Sequence, residues 1–240
     1  TLEQARRTLA DATRRHAEVQ TLGTERALAQ AYVAAGVSDQ ALDHFAAALR
    51  LAPHDVASLE GLARIWRDWG YLHAALPAAY RAAFWGADSA SAHNTLGTVL
   101  LKAGHLDAAA AQFHRARELE PASGFPMNNL CYLELQRSRP DAAVALCRAA
   151  VALDPSSQTM RNNLVMALAR IGAFDEARCV SSESSTPVLA AYNEGIVWLA
   201  EREPERAMDA FGRARLADPS YRPAVRTLQQ LTAPRKGTGR

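Results

Sequence analysis

ALAQAYVAAGVSDQALDHFAAALRLAP (residues 27–53) and TLGTVLLKAGHLDAAAAQFHRARELEP (residues 95–121) lie in one register without a gap. Tyr32 falls beside Leu100, Gly36 beside Gly104, Ala41 beside Ala109, Phe45 beside Phe113, Ala48 beside Ala116 and Pro53 beside Pro121, each at an offset of 68, twice 34. Self-similarity at a period of roughly 20 to 50 residues marks a repeat architecture and has to be settled before any site is sought.

The unit between them fits the same frame through Leu62, Ala63, Trp66, Gly70, Ala75 and Ala82, with Ala87 where a proline is expected. A fourth supplies Leu130, Cys131, Ala143, Cys147, Ala150 and Pro155. The fifth opens with Leu164, Leu168, Gly172 and Ala177 and then loses the pattern in CVSSESSTP (179–187). The sixth resumes with Gly195, Trp198, Ala207, Phe211, Ala214 and Pro219, and Pro219 follows Pro155 by 64 residues, so the fifth unit is about four residues short. The units are 22–55, 56–89, 90–123, 124–157, a degenerate 158–187, and 188–221.

Within a unit the small residues Ala29, Ala41 and Ala48 let two helices approach closely, while Leu28, Tyr32, Phe45 and Leu49 recur at helical spacing as the seam. The turn glycine can take a positive φ and end the first helix. Asp39, Asp107, Asp141 and Asp175 recur at multiples of 34 near the start of the second helix, which predicts capping residues and not catalytic acids. Proline then turns the chain. A single hairpin cannot bury both apolar faces, so the prediction is an all-α, right-handed superhelical solenoid of about six helix-turn-helix repeats. Residues 1–21 form an N-terminal helix with Leu2, Ala5, Leu9, Ala12, His16 and Val19 on one stripe. Residues 222–232 form a capping helix, and 233–240 a basic flexible tail.

Composition agrees. Of 240 residues, 49% are hydrophobic and 7% aromatic, and alternating strand segments are missing. The net charge of +2 comes from 27 basic and 25 acidic residues that are interspersed, which predicts no nucleic-acid partner. No apolar run reaches the roughly 18 residues of a membrane span. The chain opens on Thr1, which leaves room for an upstream leader, lipid anchor or further domain. Three cysteines, Cys131, Cys147 and Cys179, lack CxxC spacing, so neither a zinc knuckle nor a disulfide framework is indicated. Cys131 takes the repeat's small-residue place and Cys147 its aromatic place, and both read as core packing.

These residues resemble the tetratricopeptide repeat family, whose unit looks like W-x2-L-G-x2-Y, then G, A-x3-F, A and P. The likeness covers roughly Leu22 to Tyr221. Ala87 for proline, Cys147 for the aromatic and Glu194 for leucine depart from it. The resemblance implies a protein-binding module with a concave groove.

GxSxG, HExxH, Walker and GxGxxG patterns are missing, so no catalytic residue, cofactor or metal is expected. The seven histidines are scattered among different helices and turns, and His105 and His114 could approach each other only across a hairpin. Asparagines are more informative. Asn129, Asn163 and Asn193 hold the sixth position of their units, with Thr95 there one unit earlier. In the tetratricopeptide family, notably in units like those of the O-linked N-acetylglucosamine transferase, asparagine at that place faces the groove and grips a peptide backbone. An amide suits this because it both donates and accepts, whatever the guest's side chains. Asn94, Asn128 and Asn162 hold the fifth position and either widen the polar lining or cap the first turn. Phe125, Tyr132 and Met166 are candidate pocket walls, and Arg64, Lys102 and Arg170 candidate partners for carboxylates. The competing reading has the asparagines bonding neighbouring helices.

The leading expectation is a non-catalytic module that binds an extended peptide or partner protein. Residues 124–178 are also similar to the tetratricopeptide lipoproteins of Tad-type (Flp) pilus assembly. That likeness implies a periplasmic or membrane-anchored accessory to pilus biogenesis or secretion; without it the expected compartment is cytoplasmic. The alternatives are a self-assembling scaffold and the recognition arm of a larger enzyme such as a glycosyltransferase. The oligomeric state is open.

Overall fold

The computed structural model describes residues 2–182 and 186–232, and the basic tail 233–240 lies outside the described residues. The chain divides into two compact units, 1–121 and 122–240. All regular structure among the described residues is helical.

In the first unit, α1 (Leu2–Glu18) packs on α2 (Leu22–Ala34). Three hairpins follow: α2 with α3 (Ser38–Leu51), α4 (Val56–Asp68) with α5 (Leu72–Trp85), and α6 (Ala90–Lys102) with α7 (Leu106–Leu119). α3 packs on α4 and α5 on α6, and the first helices α2, α4 and α6 also touch in sequence. In the second unit the hairpins are α8 (Gly124–Gln136) with α9 (Pro140–Leu153), α10 (Gln158–Ile171) with α11 (Phe174–Ser182), and α12 (Pro187–Ala200) with α13 (Pro204–Ala217). Again the first helices α8, α10 and α12 touch in sequence, and α14 (Arg222–Thr232) covers α13. The degenerate unit is visible as a short α11 of 9 residues, against 14 in α9 and α13.

Local chemistry sets the helix ends. Thr21, Asp55, Ser89 and Thr186 cap α2, α4, α6 and α12, each side chain accepting from an amide of the first turn, worth about 1 kcal/mol apiece. The recurrent aspartates are not caps in this sense. The residues before α3, α7 and α9 are Val37, His105 and Arg139, with no side-chain cap bond, and Asp39, Asp107 and Asp141 sit inside the first turn. There a carboxylate complements the positive end of the helix dipole. Asp175, likewise in the first turn of α11, accepts from Arg178. The first helices end on a left-handed residue: Gly36, Gly70, Gly104 and Gly172 have φ of 77°, 84°, 85° and 80°. Ser138 and Arg202 occupy the same repeat position at 59° and 65°, although neither is glycine.

In several hairpins the core is built on a pair of positions 16 residues apart. Phe113 packs against Gly97 so closely that a Cβ there would sit 2.5 Å from the ring, and Phe211 does the same to Gly195 at 2.6 Å. Phe45 lies in one cluster with Ala29. Each buried ring contributes roughly 1.5–3 kcal/mol. In the fourth repeat this pair is Cys131 and Cys147, which form a disulfide with Cα atoms 5.3 Å apart. The expectation of two separate packing cysteines is therefore corrected. The two places touch across α6–α7 and α12–α13, and across α8–α9 two short thiols meet where those hairpins have a small residue receiving a ring. Cys179 is free and exposed.

Candidate peptide-binding face

The first helices carry the candidate residues, and one hydrogen-bond pattern recurs between consecutive first helices. The sixth-position residue donates to the fifth-position residue of the preceding repeat. Asn163 Nδ2 donates to Asn128 Oδ1 at 2.9 Å, joining α10 to α8. Asn193 Nδ2 donates to Asn162 Oδ1 at 2.7 Å, joining α12 to α10. Thr95 Oγ1 donates to Glu60 Oε2 at 3.2 Å, joining α6 to α4 in the other unit. The doublet Asn162–Asn163 thus splits its work, Asn163 reaching back to α8 and Asn162 accepting from α12.

This geometry corrects part of the expected lining. Asn193 is 1% exposed, Thr95 3% and Asn128 7%, so all three side chains are turned into contacts between helices and not toward a guest. Burial without a partner would cost each polar group about 1–3 kcal/mol, and the bonds across the repeat boundary remove that cost. Nor does Asn162 cap its helix: its Oδ1 also accepts from Gln158 Nε2 at 2.9 Å. Asn94, Asn129, Asn162 and Asn163 are half-buried.

The remaining candidates reach the surface. Phe125, Asn129, Tyr132 and Gln136 follow one another along α8 at helical spacing, with Phe125 60% and Tyr132 36% exposed. Gln136 Nε2 donates to the Tyr132 hydroxyl at 2.8 Å. Met166 and Arg170 occupy the equivalent places on α10 and, with Ala169, Ile196, Leu199 and Ala200, line a cleft of about 310 Å³ between α10 and α12. Its walls are apolar, with the exposed Arg170 supplying the charge.

In the first unit, Arg64 takes the place held by Met166 and lines another cleft of about 310 Å³ between α2 and α4, with Gln30, Val33, Phe45, Asp68 and Trp69. Arg64 lies 3.8 Å from the buried Glu60, and Asp68 pairs with Arg67 at 2.7 Å. Trp69, 44% exposed, escaped the sequence reading because it stands just beyond the last turn of α4, outside the repeat's seam. Lys102 is exposed at the end of α6.

Comparison with known proteins agrees with this architecture. A family profile described as "Tetratricopeptide repeat" matches residues 94–157 and 128–179. No curated protein matches the chain as a relative. Among solved structures, the APC/C hetero-tetramer Cut9-Hcn1 superposes with a TM-score of 0.76 at 17% identity, over 96% of this chain and 46% of that one. The chain thus spans less than half of that protein's length. A tetratricopeptide repeat protein from Parabacteroides merdae gives 0.72 at 18% identity, over 96% of this chain and 92% of that one. YrrB, described as a TPR protein with an unusual peptide-binding site, gives 0.51 at 21% identity, over 76% of this chain and 96% of that one. At these identities the likenesses show the fold.

Proposed function

The chain is a tetratricopeptide repeat protein, and from that premise we propose that it is a non-catalytic module that binds an extended segment of a partner protein on the first-helix face of its second unit. The observation that carries this reading is the shared face of Phe125, Tyr132, Met166 and Arg170, where exposed apolar side chains adjoin an apolar cleft with a cation at its edge. Exposed aromatic anchors beside a shaped cleft are what an extended peptide uses for affinity, and the arginine selects an acidic side chain or a carboxylate. The half-buried Asn129 and Asn163 lie on α8 and α10, the helices that carry these side chains, and add backbone hydrogen bonds at about 0.5–1.5 kcal/mol each. That YrrB, a protein of the same fold, has a peptide-binding site supports the choice of ligand class.

The test is a photo-crosslinking residue placed at position 166 and, as a control, at position 145, which is exposed on α9. Peptides selected from a random displayed library crosslink at 166 on this account. Crosslinking confined to 145 would place the binding surface elsewhere.

The Cys131–Cys147 bond favours a compartment that keeps disulfides oxidised, such as the bacterial periplasm. That setting agrees with the resemblance of residues 124–178 to pilus-assembly lipoproteins, and the proposed work is accordingly accessory to pilus biogenesis or secretion.

A further inference from the structure

Side chains from three helices of the first unit converge on one buried carboxylate. His16 on α1 places Nε2 2.9 Å from Glu25 Oε1, and His44 on α3 places Nδ1 2.8 Å from Glu25 Oε2. One ligand atom from each residue lies within 4.8 Å of the others. Glu25 itself, on α2, is 6% exposed, and the two imidazole side chains are 17% and 21% exposed. The His16 ring meets the His44 ring edge-on at 5.2 Å, and Tyr32 stacks on the other ring at 5.5 Å and 8°. Leu9, Ala12 and Leu28 form an apolar cluster with Tyr32 beside it.

A carboxylate buried this far requires a countercharge. The ion pairs of Glu25 among the described residues are with these two imidazoles. Imidazole is only a conditional cation near neutral pH, whereas two neutral imidazoles and a carboxylate are a donor set suited to a transition metal. Ligand atoms on a tetrahedral ion with bonds of about 2.1 Å stand roughly 3.4 Å apart, a separation between the nitrogen–oxygen contacts of 2.9 and 2.8 Å and the 4.8 Å within which one ligand atom from each residue lies.

We propose that His16, Glu25 and His44 form a site for a divalent transition-metal ion of the zinc class, held by two imidazole nitrogens and a carboxylate oxygen. Nitrogen donors favour zinc, cobalt, nickel or copper over magnesium or calcium. Three protein ligands leave a fourth position for water or for a side chain of a partner. Because the ligands come from α1, α2 and α3, the ion fastens the N-terminal helix to the first hairpin, and each coordinating nitrogen binds through its lone pair, a proton there passing to the other ring nitrogen of a neutral imidazole or to solvent from an imidazolium.

Cobalt(II) titration of the full chain carrying Cys179→Ser, with removal of that free thiol as a competing ligand, tests the site. The expected result is a saturable visible absorption band of tetrahedral cobalt at one equivalent, displaced by one equivalent of zinc. His44→Ala weakens cobalt binding at least tenfold. His16→Ala, which alters the terminal helix and leaves the α2–α3 hairpin whole, does the same and provides the reading if the first variant does not fold. No saturable band with millimolar cobalt, or a band undiminished in the His16→Ala variant, overturns the proposal.

Discussion

Asn193 donates from Nδ2 to Asn162 Oδ1 at 2.7 Å, from a side chain that is 1% exposed. The same relation, sixth position to preceding fifth, joins Asn163 to Asn128 and Thr95 to Glu60. The adjacent asparagines cost helix propensity, and that cost is met by fixing one first helix against the next.

Asn193→Ala therefore removes a bond from a dry contact, with a predicted destabilisation of about 1–3 kcal/mol. Chemical denaturation of the single variants and of the double variant with Asn162→Ala checks it. The account expects a coupling energy of about 0.5–1.5 kcal/mol, because each residue's loss already breaks the shared bond.

Ser138 and Arg202 hold the left-handed turn that glycine holds in four other repeats. A side chain there costs about 1–2 kcal/mol, and glycine returns roughly 0.5–1 kcal/mol of that to the freedom of the unfolded chain. Ser138→Gly and Arg202→Gly should each stabilise the fold by about 0.5–1 kcal/mol, read as a rise in the denaturation midpoint.

Thiol counting separates the two accounts of the cysteines. In denaturant without reductant, one thiol should react, that of Cys179, and three after reduction. Closing a loop of about 15 residues is worth roughly 3 kcal/mol, and reduction should lower stability by that order.

Glu25 predicts an acid limb to stability. Burial pushes its carboxyl up, but hydrogen bonds from His16 and His44 and their positive charge outweigh burial and hold it below its ordinary value of 4.5. A carboxyl depressed on folding stabilises the protein above its unfolded value and loses that contribution as pH falls through the lower, folded one. Stability measured below pH 4.5 should thus fall less steeply in Glu25→Gln than in the wild type.

Much of this was legible in the chain itself. The 34-residue period fixes which residues share a slot, because small residues, rings and turn glycines are each demanded by one place in a hairpin. Slots alone do not say which of them touch. Cys131 and Cys147 each fit their own slot in the sequence, and the contacts of Gly97 with Phe113 and of Gly195 with Phe211, also 16 apart, show the two slots meeting only once the hairpins are folded. The bond from Asn193 to Asn162 depends on how consecutive first helices cross, which no single helix encodes. His16, Glu25 and His44 belong to three helices, and only the docking of α1 brings them together.

The affinity of a library-selected peptide for the wild type and for a Met166→Glu, Arg170→Glu variant tests the binding face most directly. The predicted result is binding weakened at least tenfold, about 1.4 kcal/mol, by the double variant and left unchanged by Ala145→Glu on α9. Equal affinity for the double variant, or a loss produced only by Ala145→Glu, would contradict a peptide-binding face on α8, α10 and α12.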